Sequence, residues 1–327
     1  MNRRKALTAL LACTATPRWL RAADERGPRI GYLVLESLRD FPSRERQAFL
    51  DGLREFGRVD EKSVDIIYRS AENEPEFLRA MCEDLLREKV DVLATVGALP
   101  TLACLKTTHS VPIVFLAAGD PVGIGAAVSL ARPGRNATGV SYILGELAGK
   151  RVEYLRLVVP GARRVAFLWD RSNREAQIES KVAQVAAEKL GIRSNLVSID
   201  SQASLTAGLE RIARDRPDAI YMSFAAGVIA RNRTAIADFG LRQRLPVISA
   251  WAFMTEAGGL LSYSPDIPAM FRRSAYYVDR ILKGARPGEL PIEQATKIEL
   301  TVNLGTARKL GLTMPPEVML HADRVIE

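Results

Sequence analysis

The chain has 327 residues, of which 47% are hydrophobic and 26% charged, and a formal net charge of +8. That length exceeds one average domain and suffices for two, each with its own core, and the composition excludes a disordered or fibrous chain. No window approaches 18 consecutive apolar residues, so no transmembrane helix is expected.

The basic excess is concentrated at the start. Arg3, Arg4, Lys5, Arg18 and Arg21 fall in the first 23 residues with no acid among them, which leaves 41 basic against 38 acidic residues, or +3. A nearly neutral body argues against a phosphate-binding surface, so nucleic acid is not an expected partner.

Residues 1–23 read as an export signal peptide. Asn2-Arg3-Arg4-Lys5 is a basic start, 6–15 is a short apolar run, and Ala22-Ala23 offers small residues for cleavage. The arginine pair points to twin-arginine export into the periplasm. Two other readings stay open: Leu10-Leu11-Ala12-Cys13 as a processing site that leaves a lipid anchor on Cys13, and a disordered cytosolic tail.

From Arg29 onward apolar runs alternate with amphipathic segments. Strands are expected over 30–35, 64–68, 90–96 and 112–116, with helices over 44–56, 76–88 and 99–106 between them. The pattern then restarts. Helices over 147–159, 174–190, 205–214 and 228–239 alternate with strands over 165–169, 194–199, 219–223 and 246–250. Strands apolar on both faces and separated by helices mean parallel sheets covered on both sides. The expected fold is therefore α/β, with two doubly wound, Rossmann-like lobes.

The last 70 residues add a strand over 258–263, a long helix over 267–283, a strand over 297–302 and a short helix over 306–310. Elements that follow two complete lobes imply that the chain crosses back, and several crossings make a hinge. The expected division is 28–142 plus about 260–288 for the N-terminal lobe and 143–259 plus about 289–327 for the C-terminal lobe. The lobe that takes the last 35 residues is left open. Cys82 and Cys104 lie on successive helical patterns; buried free thiols are the plainer reading, and a disulfide between them stays possible after export.

Several segments resemble the ABC transporter substrate-binding proteins of the tryptophan or aromatic amino-acid type. They are Arg29-Ile30-Gly31-Tyr32-Leu33, Gly119-Asp120-Pro121-Val122-Gly123, Ser129 to Gly134 running into Asn136-Ala137-Thr138-Gly139, Glu256 to Tyr263, Thr296-Lys297 with Asn303-Leu304, and Ala322 to Ile326. The resemblance spans essentially the whole mature chain. It implies a type I periplasmic-binding-protein fold with crossover hinge strands and a ligand cleft, a monomer that delivers its solute to a membrane permease, and no cofactor. One departure stands out: Val96-Gly97-Ala98 occupies a place where family members often carry Val-Gly-Thr. A hydroxyl suited to a ligand carboxylate is missing there, although Thr101 lies one turn on.

Ligands of open parallel sheets sit at the carboxyl ends of the strands. That rule selects Glu36, Gly97, Ala98, Thr101 and Asp120 in the first lobe, and Asn173, Phe224 and Trp251, with Phe253, in the second. The helix opening at Gly97 presents free N–H groups to an anion, or is an ordinary helix start. Asp120 is placed to accept from a ligand ammonium, or Asp120-Pro121 is turn chemistry. The aromatic side chains stack on a flat ligand or belong to the core. Asn173 is a ligand contact or a helix cap.

Catalytic patterns are scarce. His109 and His321 have no neighbouring ligand pair, no phosphate-binding G-x-x-x-x-G-K-[ST] loop occurs, and Gly123-Ile124-Gly125 lacks the third glycine of a dinucleotide fingerprint. The expectation is a non-enzymatic protein that captures an amino acid or another small aromatic or carboxylate solute, with no metal site. The alternative is a sensory module of the same fold uncoupled from transport.

Overall fold

A computed structural model describes residues 27–39, 43–58, 63–142, 145–223 and 227–327. The expected signal at 1–23, Cys13 and Phe224 lie outside the described residues.

The first lobe is built from β1 (Arg29–Val34), α1 (Ser43–Glu55), β2 (Asp65–Ser70), α2 (Leu78–Arg87), β3 (Val92–Thr95), α3 (Ala98–Thr107), β4 (Ile113–Ala118) and β5 (Ala137–Ser141). The second begins with α4 (Gly145–Val158), β6 (Arg164–Asp170), α5 (Arg174–Lys189), β7 (Arg193–Ile199), α6 (Gln202–Asp215) and β8 (Ala219–Met222). It continues with α7 (Gly227–Arg231), α8 (Arg233–Gln243), β9 (Val247–Ser249), α9 (Ala252–Glu256) and β10 (Leu261–Pro265). The chain then passes through α10 (Ile267–Leu282), β11 (Glu293–Gln294), β12 (Ile298–Asn303), α11 (Leu304–Leu310), α12 (Pro316–Leu320) and β13 (Arg324–Ile326).

The first sheet runs β11-β5-β4-β3-β1-β2 and the second β13-β12-β10-β9-β8-β6-β7. Within each, the strand order reverses beside the first strand: between β1 and β3 in one lobe and between β6 and β8 in the other. Strands β3 and β4 are buried along their whole length, which explains their continuous apolar runs. Among the described residues, only β12 runs against its neighbour β10, and the other pairings are parallel.

The tail crosses between the lobes. Strand β10 pairs with β9 and β12, so 261–265 belongs to the second sheet, although the sequence pattern assigns it to the first lobe. Helix α10 returns to the first lobe and packs so closely on α1 that a Cβ at Gly52 would lie 2.4 Å from the Arg272 carbonyl oxygen. Strand β11 pairs with β5 in the first sheet, so the crossing to the second lobe falls after Gln294 rather than near 289. The last residues join the second sheet through β13.

Two crossing strands meet at Asp266. Its backbone N–H donates to the Lys297 carbonyl at 3.0 Å, and Lys297 Nζ donates to its Oδ2 at 2.7 Å. Asp266 also caps α10, accepting from Ala269 N–H at 3.0 Å. Burial works against its charge, yet these bonds hold its carboxyl below the usual range.

The expected helix over 228–239 is two helices. Asn232 interrupts it, its side-chain amide donating to Val228 O at 2.8 Å and to Gln202 Oε1 at 2.9 Å. Cys82 and Cys104 are buried free thiols on α2 and α3.

Candidate ligand-binding cleft

The carboxyl ends of the two sheets face each other across a cavity of about 810 Å³, including its open mouth. Both switch points contribute. Glu36 follows β1 and Gly97-Ala98 follows β3; Asn173 follows β6, and all four line the cavity. Trp251 and Phe253 close it from the second lobe, their rings stacked at 5.8 Å and 15°. Leu35, Ile267 and Phe271 complete an apolar wall from the first lobe and α10.

Gly97 shows why the backbone bends here. It sits at φ +80° and ψ −175°, outside the range of L side chains, although a Cβ would find only the Ala117 carbonyl oxygen at 3.9 Å. The constraint is conformational, not spatial. It turns the chain sharply from β3 into α3 and leaves the first backbone N–H groups of the helix uncapped by any side chain.

Thr101 does not supply the hydroxyl missing at Ala98. It is fully buried; its Oγ1 lies 2.8 Å from Thr95 Oγ1 and donates to Gly97 O at 2.6 Å. Its hydroxyl braces the Gly97 turn from behind. Asp120 is also turned to local structure, its Oδ1 accepting from Gly123 N–H at 2.8 Å, and it does not line the cavity. Asn173 caps α5, accepting from Glu175 N–H at 2.8 Å, and still reaches the cavity wall.

Two residues that no sequence pattern singles out, Glu175 and Tyr142, join the lobes. Glu175, in the first turn of α5, is buried; Oε1 accepts from Gly119 N–H at 2.7 Å and Oε2 from Tyr142 O–H at 2.8 Å. Gly119 and Tyr142 follow β4 and β5, so the second lobe's carboxylate is held by the first lobe. Burial raises the Glu175 carboxyl above its ordinary range and carries the Tyr142 phenol well above its own. Tyr142 also meets Trp251 edge-on at 6.1 Å. At the rim, Arg44 Nη1 of α1 approaches Glu256 Oε1 of α9 at 3.5 Å.

No sequence pattern singles out Glu45 either. It sits on α1, lines the cavity, and is raised above its ordinary range mainly by burial. Burial pushes Glu36 up to about 7. Among the described residues no group of three or more His, Cys, Asp or Glu is placed to hold a metal ion, and no helix is long and apolar enough to cross a membrane.

Two doubly wound lobes, a crossover hinge and a largely apolar cavity at opposed strand ends define a type I periplasmic-binding-protein fold. Residues 40–326 match the family model described as ABC transporter substrate binding protein, and the chain belongs to that family. It is thus a substrate-binding protein of the ABC transporter class, an extracytoplasmic family whose members bind small-molecule solutes.

Similar proteins agree in architecture. An ABC domain from Streptococcus pneumonia in complex with L-tryptophan superposes with a TM-score of 0.85 at 24% identity, over 92% of this chain and 100% of that one. A conserved domain protein from Vibrio cholerae gives a TM-score of 0.84 at 25% identity, over 91% of this chain and 99% of that one. A tyrosine-binding protein of Clostridioides difficile is 19% identical over 280 residues, which is 85% of this chain and 80% of the relative.

Proposed function

We propose that the protein captures a small aromatic solute of the amino-acid class between its lobes, without chemical conversion, and hands it to a membrane permease. The observation that carries the reading is the interlobe cavity, with stacked Trp251 and Phe253 on one side and the uncapped start of α3 on the other. Glu36, Gly97, Ala98, Asn173 and Trp251 are its contact residues. Ala98 brings only a methyl group, so a ligand carboxylate meets backbone N–H groups there rather than a hydroxyl. The relatives that bind L-tryptophan and tyrosine support an aromatic ligand.

Capture works by hinge closure. The crossings near Asp266 and after Gln294 let the lobes rotate, and Glu175, Tyr142 and Arg44 are contacts that form when they meet. A ligand that touches both lobes favours the closed form by its differential affinity, and the permease reads that form. The protein works as a monomer in the periplasm, exported by the signal at 1–23.

A thermal-shift panel of amino acids, purines, sugars and aromatic acids tests the reading, because a ligand of the native state raises the melting temperature with its excess over Kd. Aromatic amino acids are expected to stabilise the protein most. Stabilisation by sugars alone, or turnover of any compound in the panel, contradicts it. N-terminal sequencing of fractionated cells tests export; an intact Met1 in the cytosol contradicts it.

A further inference from the structure

Two thiols meet where α2 packs on α3. Cys82 lies on the buried face of α2 between Leu78 and Leu85, and Cys104 lies on the buried face of α3. Both are fully buried and belong to one apolar core with Leu93, Phe115 and Ala118. Their side chains are in contact. Cys104 donates a hydrogen bond to Cys82, which holds the Cys82 thiol below its ordinary range and carries the Cys104 thiol above its own. Cys82 also meets Thr107, in the next turn of α3.

A disulfide needs sulfurs about 2.05 Å apart on Cβ atoms about 3.5–4.5 Å apart. Two sulfurs in hydrogen-bonding contact lie within a side-chain rotation of that geometry. The family is extracytoplasmic, and an oxidising compartment favours the disulfide over a touching pair of thiols. In the closed core neither sulfur is open to an oxidant, so exchange takes place before α2 has seated or when it opens locally. The outer side of α2 is held by surface ion pairs, Arg79 with Glu83 and Arg87 with Asp84 at 2.9 Å each, which contribute little.

We propose that Cys82 and Cys104 are joined by a disulfide in the exported protein. The Cys82 thiolate attacks a disulfide of the oxidant, a thiol–disulfide exchange protein or oxidised glutathione, and one oxidant sulfur leaves as a thiol. Cys104 then loses its proton, attacks the Cys82 sulfur of the mixed disulfide and releases the second oxidant sulfur. Two thiols become one disulfide, and two electrons and two protons pass to the oxidant. The bond closes the segment 82–104, which holds β3 and the Gly97-Ala98 turn, so it ties the α3 end of the cleft to α2. The assignment rests on the export reading of the proposed function, and oxidation of the purified chain separates the two.

The test is a tryptic map of protein recovered from the periplasm and alkylated without reductant. Expected is one species that joins peptides 80–87 and 90–106, is lighter by two hydrogens than their sum, and separates on reduction. Reduction should lower the folded-to-unfolded ratio about 300-fold, the loop-closure effect for about 20 residues, and should leave a Cys82→Ala/Cys104→Ala variant unaffected. The wild-type comparison stands alone if that variant does not fold. Both peptides recovered alkylated from periplasmic protein overturn the proposal and leave export intact. Protein found only in the cytosol removes the export reading instead, and refolding of the purified chain in a buffer of oxidised and reduced glutathione then decides the pair. Closure there supports it, and two separately alkylated peptides overturn it. An unfolding curve that reduction leaves unchanged overturns the bracing of α3 by α2.

Discussion

Removing Glu175 should loosen the closed arrangement of the lobes. Its carboxylate accepts from Gly119 N–H at 2.7 Å and Tyr142 O–H at 2.8 Å, and both donors sit on the opposite lobe. Hydrogen bonds to a charged group contribute about 1.5–3 kcal/mol each, and the cost of burying the carboxylate offsets part of that. A net loss of about 2 kcal/mol from Glu175→Ala corresponds to about 30-fold in the ratio of closed to open forms. Ligand affinity falls by a similar factor once the open form dominates, because the binding-competent fraction falls with it. Pulsed electron resonance between spin labels at exposed Arg79 and Leu196, one on each lobe, reads the separation directly. Glu175→Ala should shift the distance distribution outward and weaken binding, while Glu175→Gln, which keeps an acceptor oxygen, should lie between. Unchanged distances together with unchanged affinity would show that these bonds do not hold the lobes.

Other consequences follow from the same geometry. Gly97→Ala forces an L side chain into φ +80°, and a loss of about 1–2 kcal/mol should appear in chemical denaturation. Arg151→Ala leaves Glu179 buried beside Tyr221 without its guanidinium, and a loss of about 3–5 kcal/mol should lower the melting temperature; no change would mean that the ion pair is dispensable. Glu36 titrates near 7 in the fold against an ordinary 4.5, so the folded state binds the extra proton between those values. The sign follows: its contribution is fully present below about pH 4.5 and is lost as pH rises through 7, by about 3 kcal/mol in all. Urea denaturation at pH 5 and pH 8 should show that component of the slope, and Glu36→Gln should abolish it.

The parts legible in the sequence were those set by local pattern. Continuous apolar runs marked β3 and β4 because both faces of each are covered. Glu36 and Gly97 could be picked because they follow neighbouring strands where the order reverses, a place that the α/β topology assigns to ligands. Asn173 was visible as a helix cap and reaches the cavity as well. Thr101 misled: one helical turn from Ala98 looked like the cleft side, but its hydroxyl is drawn back to Gly97.

What the sequence concealed depends on contacts between distant segments. Glu175 reads as an ordinary acidic residue in a first helical turn until the second lobe meets Gly119. Tyr142 follows β5, whose Ala137–Ser141 stretch, with Thr138 and Gly139, carries little strand signal. Strand β10 is assigned by its pairing with β12, which lies beyond α10 in sequence and gives no local cue.

In the proposed capture cycle one small molecule binds between the lobes and leaves unchanged. The most direct test is a calorimetric titration with the strongest stabiliser from the thermal panel, followed by recovery of that compound for mass and NMR analysis. Expected are one molecule per chain, binding lost in a folded Trp251→Ala variant, and quantitative recovery of intact ligand. Binding that persists unaltered in Trp251→Ala, or recovery of a converted product, would contradict it.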